Sequence, residues 1–290
     1  MVEMERAGLP TVSFTATGFV KDARRSAQAF GLTAVPIAVV PLPLTNQTPE
    51  EVRRAVDGCI EQVIQGLTEP PAVILETPTA APAAERLTID GADALEALDR
   101  MNALFLERGW SDGFPLIPPT PDRVARMVGG TRRAPEEVVA VLEPGFGVAT
   151  VEKLAINAVM AGCRPEHLPV LLAAVEAVAD PRFLLRIAAM STGPHAPLIL
   201  VNGPIAKALG INSGRCALGP GAPSYPNVVI GRALRLTYMN VGQAYPGLMD
   251  MDTIGSANKF SLCAAENEEA NPWEPFHVEK GFDRDASTVT

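Results

Sequence analysis

A stretch in the second half of the chain constrains the fold most. Residues 196–201 form an unbroken apolar run, which predicts a buried strand. Asn202-Gly203-Pro204 follows as a turn signal, and residues 205–209 have room for one or two helical turns that Gly210 would end. A buried strand leading through a turn into a short helix predicts an α/β protein.

A loop with four glycines follows this strand and helix, between residues 210 and 221. Glycine lets backbone N–H groups approach a ligand closely, and a nearby helix start favours an anion. The side chains of Asn212, Ser213 and Arg215 suit the orientation of a carboxylate, carbonyl or phosphate. We therefore predict a small-molecule site here, and the alternative is a tight structural turn. The loop matches no phosphate-loop or dinucleotide fingerprint.

Composition excludes several classes of partner. The net charge of −9 argues against nucleic acid and anionic membranes, because both require a basic face. No apolar run approaches 18 residues and the N-terminus is charged, so we expect a cytoplasmic protein without a membrane span or secretory signal. The four cysteines and three histidines are scattered, so no metal site is predicted and no cofactor is assigned.

The first 68 residues alternate between predicted strands and helices. Strands are predicted over residues 10–15 and 36–41, and helices over residues 20–30 and from Pro49 to about Leu67, with Thr48 and Glu51 forming a capping box. This order predicts a parallel sheet with crossover helices. Two strands make a small sheet, so residues 1–68 are interpreted as part of a doubly wound lobe. A Pro/Ala-rich linker at 69–89 and a larger α/β domain at 90–290 follow.

The lobe resembles a known family. Residues 1–14, with Glu-Arg-Ala-Gly-Leu-Pro at 5–10, and residues 36–44, ending Pro-Leu-Pro-Leu, resemble the C-terminal part of UGSC-type (seleno)proteins and are similar to component B of glycine reductase. Leu42 stands where the family usually has histidine. In the family the reactive selenocysteine or cysteine lies just upstream of the helix that begins here at Met1. The resemblance therefore implies thiol or selenol chemistry whose reactive residue lies upstream of residue 1, comes from another subunit, or has been lost from this lobe.

Residues 90–282 resemble an uncharacterised bacterial domain associated with UGSC-type proteins, through motifs at 110–115, 201–205, 210–214 and 265–275. Trp110 and Asp112 lie in a predicted loop beside Gly113 and are predicted to line a site, unless the tryptophan only packs on the core. Cys163 precedes Arg164, and Cys216 follows Arg215. A neighbouring cation can activate a thiol, whereas an isolated cysteine is more often inert packing.

Two further groups are candidates for the site. His195 lies at the entry to the buried strand, where it either transfers protons or serves as a capping or core histidine. Glu266, Asn267 and Glu268 leave the end of a second predicted strand, which is where α/β sites collect. Asn202, Asn212 and Ser213 are expected to hold a carboxylate or oxyanion.

The combined prediction is a partner-dependent enzyme subunit. By resemblance, it would bind and orient a small carboxylate or amine while a second chain supplies the nucleophile. In the alternative, Cys163 or Cys216 of this chain supplies the nucleophile. Two alternatives stay open: a stand-alone hydrolase or lyase using His195 and Glu266, and a non-catalytic partner subunit. Homo- or hetero-oligomers fit these schemes.

Overall fold

The computed structural model of the protein describes residues 4–5, 7–20, 23–24, 27, 35–40, 47–69 and 86–290. The chain divides into two compact units, Met1–Leu87 and Thr88–Thr290. The helix predicted over 20–30 and the linker predicted over 69–89 fall mostly outside the described residues.

The described residues of the first unit include two parallel strands and two helices. Strands β1 (Ser13–Ala16) and β2 (Ile37–Val40) pair in parallel, with Ser13 opposite Ile37. Helices α1 (Pro49–Asp57) and α2 (Ile60–Thr68) follow, and α2 packs against β2. The predicted parallel pairing is therefore present.

The predicted capping box at the start of α1 is also present. The Thr48 backbone N–H donates to the Glu51 carboxylate at 2.8 Å, and the Glu51 N–H donates back to the Thr48 hydroxyl at 3.3 Å. The single helix expected to reach Leu67 is instead two helices, because the chain turns at Gly58-Cys59. Glycine costs about 1 kcal/mol in a helix interior, so Gly58 weakens the predicted helix at this point.

The second unit is mainly helical, with two small sheets. Its α-helices pack around a core in which the central positions are filled by small and branched aliphatic side chains. They are α3 (Ala94–Glu107), α4 (Pro121–Val128), α5 (Val151–Ala161), α6 (Leu168–Ala179), α7 (Leu185–Met190), α8 (Pro204–Ala208), α9 (Tyr225–Asn240) and α10 (Phe276–Glu279). The central pair is α5 against α9, where Leu154, Ala158 and Ile230 are fully buried. Alanine at such positions lets two helices approach closely.

Strands β3 (Val138–Leu142) and β4 (Gly147–Thr150) form an antiparallel hairpin. The second sheet has the order β6-β5-β7. Here β5 (Ile199–Asn202) runs parallel to β6 (Cys263–Ala265) and antiparallel to β7 (Thr288–Val289). The buried strand predicted from the apolar run is thus the central strand of this sheet.

The mixed α/β class predicted from the sequence is confirmed. The sheets are smaller than in a doubly wound domain, because the described part of each unit has at most three strands in one sheet. Helix α7 and strand β7 were not predicted. Both are short, and their residues are held by contacts with distant parts of the chain.

Candidate functional site

Polar side chains meet at the carboxyl ends of the parallel strands β5 and β6. Asn202 is the last residue of β5 and is fully buried, while Glu266 directly follows β6. The backbone N–H of Glu266 donates to the Val201 carbonyl at 3.2 Å, which fixes the start of the segment after β6. The sequence prediction that Asn202 and Glu266 share a site is therefore consistent with their positions.

The Glu266 carboxylate is surrounded by neutral donors. The Asn202 side-chain amide donates to Oε2, the Phe276 backbone N–H donates to Oε2 at 2.8 Å, and the Asn271 side chain donates to Oε1 at 2.6 Å. These bonds tie the loop after β6 to β5 and to the start of α10. Glu266 therefore has a fixed orientation, and both of its oxygens already accept hydrogen bonds.

Glu268 lies beside the same amide and is more accessible. Its Oε1 accepts from the Gly203 N–H at 2.8 Å and from Asn202 Nδ2 at 3.2 Å, and its side chain is 24% exposed. The His277 ring is buried, with Nδ1 3.7 Å from Glu268 Oε1 and Nε2 3.2 Å from the Arg284 carbonyl. In the neutral imidazole ring, a proton on Nε2 donates to that carbonyl, which leaves Nδ1 as an acceptor.

Two buried acceptors in this group, Asn202 Oδ1 and His277 Nδ1, have no hydrogen-bond partner among the described residues. Asn267, also predicted to bind substrate, is exposed and its Oδ1 accepts from the Ala270 N–H at 3.3 Å. Its side chain stabilises the turn after β6. We call the group Asn202, Glu266, Glu268 and His277 the carboxyl-end cluster.

The glycine-rich loop has most of its polar groups committed to holding its own shape. Asn212 Nδ2 donates to the Arg215 carbonyl and to the Ser224 hydroxyl, both at 2.9 Å, and Asn212 Oδ1 accepts from the Gly214 N–H. The Asn227 side chain binds the backbone of Asn212 on both sides. These contacts favour the structural-turn alternative for Asn212. Ser213 and Arg215 lie on the outer part of the loop, where Arg215 is exposed.

Asp112 and Trp110 hold the loop after α3 in place. Asp112 makes a bidentate ion pair with Arg232 of α9, at 2.7 and 2.9 Å, and its side chain is 2% exposed. The Trp110 ring packs edge-on against Phe105 with a centroid separation of 5.3 Å, and Asn240 donates to the Trp110 carbonyl at 3.1 Å. Both residues therefore make contacts that position α3 against α9.

The two predicted nucleophilic thiols have different environments. Burial raises the pKa of the Cys163 thiol well above its ordinary value, and its Sγ contacts the Val229 carbonyl at 3.3 Å. Cys216 is exposed and has a positive φ of 57° in the glycine-rich loop. Cys263, within β6, has a pKa raised to about 12 by burial. A protonated thiol is a poor nucleophile, so the raised pKa favours the packing alternative for the half-buried Cys163.

His195 belongs to a different part of the unit. It lines a cavity of about 30 Å³ at the amino ends of β5 and β6, next to Pro197 before β5 and Leu262 before β6. Because β5 and β6 are parallel, His195 and Glu266 lie at opposite ends of the sheet. The structure does not bring together the two residues that a stand-alone hydrolase or lyase was expected to use.

This amino-end cleft contains charged and polar side chains that the sequence analysis did not assign to one site: Arg235, Tyr238, Asp250, Asn258, Lys259 and Ser261. Asp250 is buried and binds Arg235 at 3.0 Å and Lys259 at 2.7 Å, and Lys259 also binds Asp252 at 2.9 Å. A signal existed in the spacing of Arg232 and Arg235 on one helix. It did not identify the acidic partners, which come from distant loops.

Within the described residues, no group of three or more His, Cys, Asp and Glu side chains is arranged to hold a metal ion. In the same part of the chain, no helix has the length and apolar character needed to cross a membrane.

Comparison with known proteins gives one match. The UGSC family model matches residues 1–69, so this segment is a UGSC family domain, and the resemblance seen in the sequence is confirmed there. The remainder of the chain has no family assignment, and its resemblance to an uncharacterised bacterial domain stays a prediction. Comparisons with curated proteins and with solved structures found no match.

Proposed function

We propose that this protein is the substrate-holding subunit of a small-molecule enzyme. In this scheme the carboxyl-end cluster binds an amine group of the substrate, and a thiol or selenol of a second chain attacks the carbon that carries this amine. An S–C or Se–C bond forms as the C–N bond breaks, and the nitrogen leaves as the protonated amine. The observation that supports the amine site is the unpaired His277 Nδ1 at 3.7 Å from a Glu268 oxygen. The UGSC domain at residues 1–69 supports the class of chemistry.

The cluster is rich in acceptors. The donors that reach Glu266 and Glu268 are neutral amides of the backbone and of Asn202 and Asn271, so two carboxylates share the site without a cation among these donors. The buried Nδ1 of His277 adds a further lone pair. Buried acceptors without donors cost about 1–3 kcal/mol each. An ammonium group offers three donors and a positive charge, which matches what the cluster lacks.

Access to the cluster is through Glu268. Its side chain is 24% exposed, whereas Asn202 is fully buried and His277 is 1% exposed. An amine can therefore approach the Glu268 carboxylate from solvent, while Nδ1 of the imidazole is itself buried. Asn202 holds both glutamates in position by donating to each of them.

The chemistry of the described thiols favours a nucleophile from a second chain. Cys163 and Cys263 have pKa values raised by burial, so at neutral pH they are protonated. Cys59 is also buried, and its Sγ contacts the Val56 carbonyl at 3.2 Å. Cys216 is exposed, but it lies in a loop whose residues bind one another rather than in the carboxyl-end cluster.

Calorimetric titration with ethylamine tests the amine site. We expect Glu268→Gln to weaken ethylamine binding by about 10- to 100-fold, because a hydrogen bond to a charged group contributes about 1.5–3 kcal/mol. Glu269→Gln is the matched control, since Glu269 is the adjacent residue and pairs with Lys207 on the surface.

Equal affinities of the wild-type protein and Glu268→Gln for ethylamine would refute the amine site. The partner is tested separately by native mass spectrometry of the protein isolated from its own host. We expect a complex with a second chain that contains a reactive cysteine or selenocysteine. A homo-oligomer without such a chain would refute the shared-site scheme.

A further inference from the structure

The amino-end cleft lies at the other end of the sheet from the carboxyl-end cluster, and its architecture is independent of the proposed function. Helix α9 contributes Arg235 and Tyr238, and the loop before β6 contributes Lys259 and Ser261. Ala188 and Ala189 of α7, together with Leu234, give it an apolar wall. The cleft therefore combines polar groups on one side with small aliphatic side chains on the other.

Tyr238 is the residue whose chemistry is incomplete. Its side chain is 4% exposed and lines the cleft, and its hydroxyl has no hydrogen-bond partner within the described part of the chain. A buried hydroxyl without a partner costs about 1–3 kcal/mol. Burial raises the pKa of this phenol above its ordinary value, so the group stays protonated and remains a hydrogen-bond donor.

The ionic groups around the cleft leave donors in excess. Lys259 contacts both oxygens of Asp250 and one oxygen of Asp252, and Arg235 binds Asp250 through Nη2. The two carboxylates thus already accept from the two cations, and the formal charges of these four residues cancel. A guanidinium has five N–H donors, and Arg235 has donors left over after its bond to Asp250.

We propose that the amino-end cleft binds a small aliphatic monocarboxylate. Its carboxylate accepts from the Tyr238 hydroxyl and from free N–H groups of Arg235, and its short alkyl group lies against Ala188, Ala189 and Leu234. The volume of about 30 Å³ limits the buried portion to a few heavy atoms. A protonated amine has no lone pair to accept from the Tyr238 hydroxyl or from Arg235, so the cleft selects against the ligand class proposed for the carboxyl-end cluster.

Titration of the full-length protein with propionate, propionamide and propylamine tests this site. We expect propionate to bind, propionamide to bind at least tenfold more weakly because it lacks the charge, and propylamine not to bind. Tyr238→Phe should weaken propionate binding about tenfold or more, since it removes one hydrogen bond to a charged group while keeping the ring in the core.

Tyr225→Phe is the matched control. Tyr225 belongs to the same helix, but its hydroxyl donates to the Gly162 carbonyl outside the cleft, so propionate affinity should be unchanged. Without ligand, Tyr238→Phe should unfold at the same temperature as the wild-type protein or a higher one, because the hydroxyl it removes is unpaired.

Failure of the folded wild-type protein to bind propionate at millimolar concentrations would overturn the proposal. Equal propionate affinities for Tyr238→Phe and the wild-type protein would overturn it as well. Glu268→Gln should bind propionate with wild-type affinity, so the outcomes for the two sites are distinguishable.

Discussion

The buried ion pair between Asp112 and Arg232 allows a direct test of whether Asp112 is structural. The Asp112 side chain is 2% exposed and the Arg232 side chain 14% exposed, and two hydrogen bonds join them. Removing one partner of a buried pair costs about 3–5 kcal/mol, because the remaining charge is left uncompensated. Arg232 also donates to the carbonyls of Phe114 and Pro115, so we expect Asp112→Asn to cost about 3 kcal/mol.

Urea unfolding followed by tryptophan fluorescence measures this loss in the relevant unit. Both tryptophans, Trp110 and Trp273, lie in the second unit, so their signal reports on its unfolding. With a slope of about 2 kcal/mol per molar urea, the midpoint should fall by about 1.5 M. Asp180→Asn is the control, since Asp180 pairs with the exposed Arg182 on the surface and should leave the midpoint unchanged.

A midpoint for Asp112→Asn equal to that of Asp180→Asn would refute the structural role assigned to Asp112. Arg232→Met combined with Asp112→Leu extends the test, because replacing both partners removes the uncompensated charge. The double variant should recover part of the lost stability.

Two further predictions concern titrating groups. Iodoacetamide should modify Cys216 in the folded protein, whereas the buried Cys263 should react only after unfolding, and mass spectrometry of the peptides would detect early reaction there. The half-buried Cys163 should react more slowly than Cys216, because its pKa is raised. In the folded state, burial lowers the pKa of His167 below its ordinary value of 6.5. Below about pH 6.5 the unfolded chain therefore binds more protons than the folded one, and the second unit loses stability as the pH falls. His167→Gln should flatten this pH dependence. If the free energy of unfolding in urea falls equally between pH 7 and pH 5 for His167→Gln and the wild-type protein, the assignment to His167 is contradicted.

Local signals predicted many of the secondary-structure elements. The strand predicted over residues 36–41 is β2 (Ile37–Val40), and the apolar run at 196–201 contains most of β5 (Ile199–Asn202), because each has a strong apolar pattern. Thr48 and Glu51 marked the start of α1 correctly, since a capping box depends only on residues three apart. The break between α1 and α2 was missed, because glycine weakens a helix without always ending it.

The candidate sites were harder to predict, because they depend on contacts between distant segments. The predicted site included Asn202 and Glu266 because both follow predicted strands, and the carboxyl ends of neighbouring parallel strands meet. The sequence around Asp112 does not reveal its ion pair with Arg232, which lies 120 residues further along the chain. Tyr238 was missed because an apolar helical pattern does not indicate that its hydroxyl is unpaired.

The three-stranded sheet of the second unit determines when its strands can pair during protein synthesis. Its central strand β5 pairs with β6 and β7, both of which follow it at long range, so Ile199 finds its partner at Cys263 and Val201 finds its partner at Val289. A ribosome makes β5 well before either neighbour, and pairings between distant segments form slowly. The backbone N–H and C=O groups along both edges of β5 therefore stay unpaired until residues 263–265 and 288–289 have been made.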